Sequence, residues 1–296
     1  MSVLPYPDCP LIELNEHFSA LAPHYDVVLS DVWGVLHNGE AAWREASEAL
    51  ARFREAGGAV VLITNAPRPG DYVIRQMDRL GVWREAYDGI VSSGDITRGV
   101  IARRPGQTIY HIGPDRNLAI FKGIEAPLAP VQVADYVICS GLVNDSTETA
   151  DDYRDLLTTV RARELFMVCS NPDVIVEVGE RMIYCAGAIA DLYAAMGGEV
   201  LYAGKPYAGI YEEALAIAAR ARGKPIDRAR VLAIGDSVRT DLKGATAFGI
   251  DCLFVTSGIH AEEFGQRDAP DPDAVARAFV DAGAAAPRAV TRKLRW

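Results

Sequence analysis

Short apolar runs alternate with amphipathic segments almost from end to end, and this rhythm restricts the chain more than any other feature. "DVVLS" at 26–30 is bounded by charge and reads as a buried strand. After it, Trp43, Ala46, Leu50 and Phe53 recur at steps of three and four, the spacing of a helix with one buried face. Gly57 and Gly58 close that helix, as glycine does just past a C-terminus. "AVVLIT" at 59–64 is the next strand, and Gly70 to Leu80 the next helix. "GIVSS", "TIYHIG", "YVICS", "LFMVCS", "VLAIG" and "CLFVT" continue the pattern. Strands separated by helices pair in parallel with both faces covered, so the expected class is α/β with a three-layer, Rossmann-like core. Such folds bind ligands at the carboxyl ends of their strands, which is where chemistry is to be sought.

The chain's 296 residues suffice for one large domain or two ordinary ones, and carry 30 basic against 40 acidic side chains, a formal charge of −10. An acidic chain lacks the basic face that a nucleic-acid binder or a ligand of anionic membranes needs, so neither partner is expected. No uncharged apolar stretch approaches the roughly 20 residues of a membrane span. The five cysteines include no CxxC pair, and no signal-peptide pattern opens the chain. A reducing, cytoplasmic setting is therefore expected. From about Gly265 the chain is rich in Ala, Pro and Asp and ends in "RKLRW", which reads as a helix and a solvated tail.

Four strand ends carry polar residues suited to phosphoryl chemistry. Asp31 emerges from "VVLSDVWGVLHNG", Thr64 and Asn65 from "VVLITNAP", Lys205 from "GKPYAGIYEEAL", and Asp236 and Asp241 from "VLAIGDSVRTDLKGA". Carboxylates at adjacent strand ends can share a hard cation such as Mg²⁺, which offsets repulsion between an anionic nucleophile and an anionic phosphate. A hydroxyl and an ammonium can hold non-bridging oxygens, and an ionised Asp can attack phosphorus. Each residue alone has an ordinary structural role as a cap, turn or solvated side chain. Their order and their placement at strand ends carry the inference. No GxGxxG follows any strand, which sets a dinucleotide-binding fold aside.

"DVWGVLHNG", "LITNAP", "GKPYAGIYEEAL" and "GDSVRTD" resemble the four ordered motifs of the haloacid dehalogenase superfamily of aspartate-nucleophile hydrolases. "TNAPRP", "SNPD" at 170–173 and "YCAGAIADLY" are similar to its NagD-like sugar and nucleotide phosphatase subgroup, and the likeness runs from about Asp26 to Gly258. The resemblance implies Asp31 as nucleophile, Thr64, Asn65 and Lys205 as the phosphate site, and Mg²⁺ as cofactor. It implies Asp31, Asp236 and the backbone carbonyl of Trp33 as metal ligands, with Asp241 behind them. It also implies an α/β cap domain inserted at 91–203, between core segments 1–90 and 204–264, followed by a C-terminal helix and tail at 265–296. Asn171 and Asp173 would then lie in the cap, facing or supporting a small phosphorylated metabolite. Capped relatives often pair through the cap, so a homodimer is an expectation.

One position departs from the pattern. Family phosphatases usually carry Asp two residues after the nucleophile, as general acid and then base; here it is Trp33, which cannot titrate. General acid–base catalysis is worth about 10²–10⁴-fold, so the loss should weigh most on alkyl phosphates. His37 is a candidate substitute donor because histidine titrates in the useful range. His17, His24, His111 and His260 show no metal spacing. The leading reading is a Mg²⁺-dependent phosphatase working through an aspartyl-phosphate. The alternatives are a dehalogenase-like hydrolase on the same scaffold, or a module that binds a phosphometabolite with low turnover.

Overall fold

The computed structural model describes residues 17–178, 181–266 and 269–296, so the first sixteen residues of the expected core segment lie outside the described residues. In chain order the first part comprises β1 (Val27–Ser30), α1 (Arg44–Glu55), β2 (Ala59–Thr64), α2 (Gly70–Leu80), β3 (Gly89–Ser92) and α3 (Ser93–Ala102). Next come β4 (Ile109–Ile112), β5 (Tyr136–Cys139), α4 (Arg154–Ala162), β6 (Met167–Cys169), β7 (Ile175–Val178), β8 (Arg181–Tyr184), α5 (Ala186–Ala195) and β9 (Val200–Tyr202). The chain then returns through α6 (Ala208–Arg222), β10 (Val231–Gly235), α7 (Lys243–Phe248) and β11 (Asp251–Val255). A two-residue pairing of β12 (Gly265–Gln266) with β13 (Ala269–Pro270), α8 (Pro272–Asp281) and β14 (Ala289–Thr291) complete it.

The main sheet is six-stranded and parallel, in the order β14-β11-β10-β1-β2-β3. Its central strands are apolar throughout because both faces are covered. Val28, Val60, Leu62, Leu232 and Ile234 pack under α1 and α2, while Val27, Leu29, Val61, Ile63 and Ala233 pack under α6, α7 and α8. The period of two in the strands thus sorts one run of residues into two cores. Together these layers form the expected α/β sandwich.

A second parallel sheet, β4-β5-β6-β9, is inserted between β3 and α6. Here α4 and α5 cover one face (Leu157, Val160, Ile189, Tyr193) and α3 the other (Val100, Ile101). The expected boundary at residue 91 falls inside a core strand: Thr64 pairs with Ser92, and the passage between sheets runs through α3. Ser92 starts that helix with a capping box, its Oγ accepting from the Asp95 amide at 3.0 Å.

The structure corrects the expectation of a solvated tail. Leu253 of β11 pairs with Ala289 of β14, so the last segment supplies an edge strand of the core sheet. Val290 and Leu294 are buried, Trp296 packs edge-on against Phe18 at 5.9 Å, and the Phe18 amide donates to the Arg295 carbonyl at 2.7 Å. Charged residues between these apolar ones hide the strand in the composition, whereas the ladder on β11 needs a partner. No helix among the described residues is long and apolar enough to cross a membrane.

Candidate active site

The chemistry-bearing residues collect where the main sheet ends. Asp31 follows β1 and its amide donates to the Ile234 carbonyl at 2.8 Å, extending the ladder by one residue. Asp236 follows β10, the neighbour of β1, so the two carboxylates stand side by side although 205 positions separate them in the chain. Asp241 arrives on a π-helical turn, Val238–Leu242, and turns back so that its Oδ2 accepts from the Ser237 amide at 3.1 Å. Wide turns of this kind are frequent at functional sites. Oxygens of Asp31, Asp236 and Asp241 all lie within 4.8 Å of one another.

Lys205 reaches this cluster from the loop before α6. Its Nζ is 2.8 Å from Asp31 Oδ1 and 2.7 Å from Asp241 Oδ1, and the residue is only 2% exposed. Asn65, after β2, positions that loop: its Oδ1 accepts from the Lys205 amide at 2.8 Å and its Nδ2 donates to the Lys205 carbonyl at 3.1 Å. The same Nδ2 donates to Asp173 Oδ1 at 3.0 Å. Thr64 is buried at the tip of β2, its Oγ1 accepting from the Ala66 amide at 3.2 Å.

Glycines let the carboxylates sit this close to the backbone. Gly34 has φ +81°, and a Cβ there would lie 2.1 Å from Asp236 Oδ2; one on Gly258 would lie 1.9 Å from the same oxygen. Asp236 Oδ2 instead accepts from the Ile259 amide at 2.7 Å.

Burial and mutual repulsion dominate the electrostatics. Burial, then the charge of Asp241, pushes the Asp31 carboxyl well above its ordinary range, against the pull of Lys205. Burial and Asp241 likewise drive Asp236 up to about 7. For Lys205 burial acts downward, but Asp241, Asp31 and Asp173 outweigh it and hold the ammonium above its usual value. Three carboxyl groups of the cluster face one ammonium in a water-poor site, and ionising all three would leave a surplus of two negative charges. Oxygen donors with that surplus fit one hard divalent cation.

The sequence-derived residues divide by what they touch. Asp31, Lys205, Asp236 and Asp241 share one cluster, and Asn65 and Asp173 join it through hydrogen bonds. Asn171 is turned into its own loop, Oδ1 accepting from the Asp173 amide at 3.1 Å. Trp33 lines the cavity above the cluster, and its Nε1 donates to the Glu177 carbonyl at 2.7 Å. His37 is buried behind Trp33, ring centroids 5.1 Å apart, with Nδ1 accepting from the Gly39 amide at 3.0 Å. Burial lowers the His37 pKa to about 4.

A cavity of about 290 Å³ opens over Asp31 and Asp236. Several of its walls escaped sequence reading. The antiparallel β7–β8 hairpin contributes Val174, Ile175, Val176 and Met182, and the core contributes Arg239 and Ile259. Arg239 pairs with Asp191 of α5, a third link from the core to the inserted segment after Asn65–Asp173 and Trp33–Glu177. The β-branched run "VIVEV" ahead of Gly179 was the available signal for the hairpin.

A fold of this topology, with acidic strand ends gathered round a buried lysine, defines a class of hydrolase. A haloacid dehalogenase-like hydrolase family model matches residues 28–126, and a HAD-hydrolase-like model matches residues 202–282. A solved hydrolase of the haloacid dehalogenase-like family from Brucella suis 1330 is 43% identical, covers 95% of this chain and 100% of its own, and superposes with a TM-score of 0.84. The chain belongs to the haloacid dehalogenase-like hydrolases. It is also 26% identical over 247 residues to D-glycerol 3-phosphate phosphatase of Mycobacterium tuberculosis, covering 82% of this chain and 66% of that protein. It thus spans just under two thirds of that relative. Acid sugar phosphatase of Staphylococcus saprophyticus is 25% identical over 245 residues, 81% of this chain and 90% of that enzyme.

Proposed function

We propose that the protein is a divalent-cation-dependent phosphatase of a small phosphorylated metabolite, with Asp31 as nucleophile. The observation that carries this reading is the grip of Lys205 on both Asp31 and Asp241 beside Asp236, at the ends of adjacent parallel strands. The phosphate monoester hydrolases among the chain's relatives agree with it.

Asp31 Oδ1 is held by the Val32 amide at 2.7 Å and by Lys205 at 2.8 Å, which leaves Oδ2 to attack phosphorus. The bond to the leaving oxygen breaks as the bond to Oδ2 forms, giving an aspartyl-phosphate. Water then attacks that phosphorus, releasing inorganic phosphate and restoring the Asp31 carboxylate. Thr64 Oγ1 and the Lys205 ammonium stabilise the non-bridging oxygens, where charge accumulates. Mg²⁺, held by Asp31, Asp236 and the Trp33 carbonyl with Asp241 behind, would supply the positive charge that lets an anionic nucleophile approach an anionic ester.

Position 33 offers the leaving oxygen no proton, because an indole does not titrate and its N–H already donates to Glu177. His37 is a poor substitute. It is neutral above about pH 4, and Nδ1 is occupied by the Gly39 amide. Esters whose leaving groups depart as stable anions should therefore turn over best.

The test is phosphate release from aryl, acyl and alkyl phosphates with Mg²⁺. Release should vanish with EDTA and return with Mg²⁺, and Asp31→Asn should abolish it for every ester. Turnover that survives either treatment would remove the aspartyl-phosphate reading.

A further inference from the structure

Hydrolysis of an aspartyl-phosphate needs a group to take a proton from the attacking water, and Trp33 cannot. The titratable side chains in the cavity wall are Asp31, Asp173, Asp236, Arg239, His260 and Glu263. Asp31 and Asp236 are taken up as nucleophile and metal ligand. Arg239 stays charged and pairs with Asp191. In His260 the Nε2 lone pair accepts from the Val238 amide at 3.3 Å, which puts the ring proton on Nδ1. That atom lies 3.1 Å from Glu263 Oε2, misaligned for a hydrogen bond, and the Glu263 side chain is itself 64% exposed. The hydroxyls of Ser237 and Thr240 do not ionise near neutral pH. Asp173 remains.

Asp173 reaches the cavity from the inserted segment, on a turn that fixes its backbone. Its amide donates to Asn171 Oδ1 at 3.1 Å, and its carbonyl accepts from the Gly187 amide at 3.1 Å. A Cβ on Gly187 would lie 2.4 Å from that carbonyl oxygen, so glycine lets α5 begin directly on the turn. Asp173 Oδ1 accepts from Asn65 Nδ2, the group that also holds the Lys205 carbonyl, which registers the carboxylate against the phosphate-binding loop. Its Oδ2 accepts no hydrogen bond among the described residues. Burial pushes the carboxyl above its ordinary range, with Asp241 adding to the rise, against the Lys205 ammonium, the Asn65 donor and the Arg239 guanidinium. Its anion is the stronger base for that. The Cys185 thiol of α5, its other titratable neighbour, is held neutral by its own burial.

We propose that Asp173 is the general base of the second step. This rests on the phosphatase reading and deepens it. Water attacks phosphorus as the bond to Asp31 Oδ2 breaks, the water's proton passes to Asp173 Oδ2, inorganic phosphate leaves, and the proton is then lost to solvent. As the anion, Asp173 accepts a proton from water but has none to give the leaving oxygen, so the preference for stable leaving anions stands.

The experiment follows para-nitrophenyl phosphate with Mg²⁺ by rapid quench in the native protein, Asp31→Asn, Asp173→Asn and Asp173→Glu. Asp173→Asn keeps an acceptor for Asn65 and cannot take a proton. Its kcat should fall roughly 100-fold or more, after a stoichiometric burst of nitrophenolate, and mass spectrometry of the acid-quenched protein should find the phosphoryl group on Asp31. Asp173→Glu keeps a titrating carboxyl and should turn over faster than Asp173→Asn, without a burst; a purely positioning role ranks the two the other way. An unchanged kcat, a loss without burst or trapped phosphoryl group, or that reversed ranking overturns the base. Circular dichroism checks folding, and Asp173→Ser carries the same expectations if Asp173→Asn does not fold. No nitrophenolate from the native protein, or undiminished release from Asp31→Asn, removes the phosphatase reading and the base with it.

Discussion

The floor and the roof of the cavity are built on opposite plans. The floor is charged, buried and pinned to main chain: Asp31 by the Val32 amide, Asp236 by Ile259, Asp241 by Ser237. The roof is a two-stranded hairpin with apolar side chains half in solvent, tied to the core by Trp33 and, through α5, by Arg239. Electrostatic work needs donors and charges that do not reorganise, so it sits on strand ends of a sheet covered on both faces. Selection among leaving groups needs shape and carbon, which a lightly packed hairpin can supply and can vary without disturbing the floor.

That contrast can be broken most directly at Asp31. Asp31→Asn should lower turnover by about 10⁴-fold or more for every ester alike, because the floor serves the phosphorus and not the leaving group. A loss confined to one ester class would blur the division. Gly34→Ala is the next probe of the floor. The new methyl must displace Asp236 and adopt φ +81°, so destabilisation above about 1 kcal/mol in urea unfolding is expected, with activity falling in parallel.

His37 is buried behind Trp33, and its protonation tests how firmly that loop is packed. Its folded pKa, about 4, is below the ordinary 6.5 because burial disfavours the charged ring. The unfolded chain therefore binds more protons between these values. Stability from this residue is full above about pH 6.5 and is lost as pH falls through 4, by about 3 kcal/mol at most. Chemical unfolding across that window should show a shallower pH slope in His37→Asn. An unchanged slope would mean that the loop opens to solvent. The smallest effect belongs to the roof: Trp33→Phe removes one hydrogen bond, worth about 1 kcal/mol. Amide exchange should quicken in β7 and β8 while the midpoint of global unfolding scarcely moves.

Much of the floor was legible before any coordinates. Asp31, Thr64, Lys205 and Asp236 each follow an apolar run or open a helix, and strands of that composition can only be buried in parallel. The single strands of the second sheet were legible for the same reason, whereas their grouping as an insertion from residue 91 came only from the family resemblance, and residue 91 lies inside β3 because one four-residue strand carries no sign of which sheet it joins. The C-terminal strand was missed because charge surrounds its few apolar residues, and only the edge of β11 gives them a place. The hairpin was passed over because two short strands mean little apart from each other.

By itself the sequence determined the alternation of strands and helices, the acidic and hydroxyl residues at strand ends, and a non-titrating tryptophan two residues after Asp31. These are local properties, set by hydrophobic period and residue chemistry. Tertiary structure alone decided that Lys205 bridges Asp31 and Asp241, that Asn65 holds both Lys205 and Asp173, and that Trp33 donates across 144 positions to Glu177. Such contacts depend on how whole layers stack and on the removal of water from between them, and no spacing along the chain encodes either.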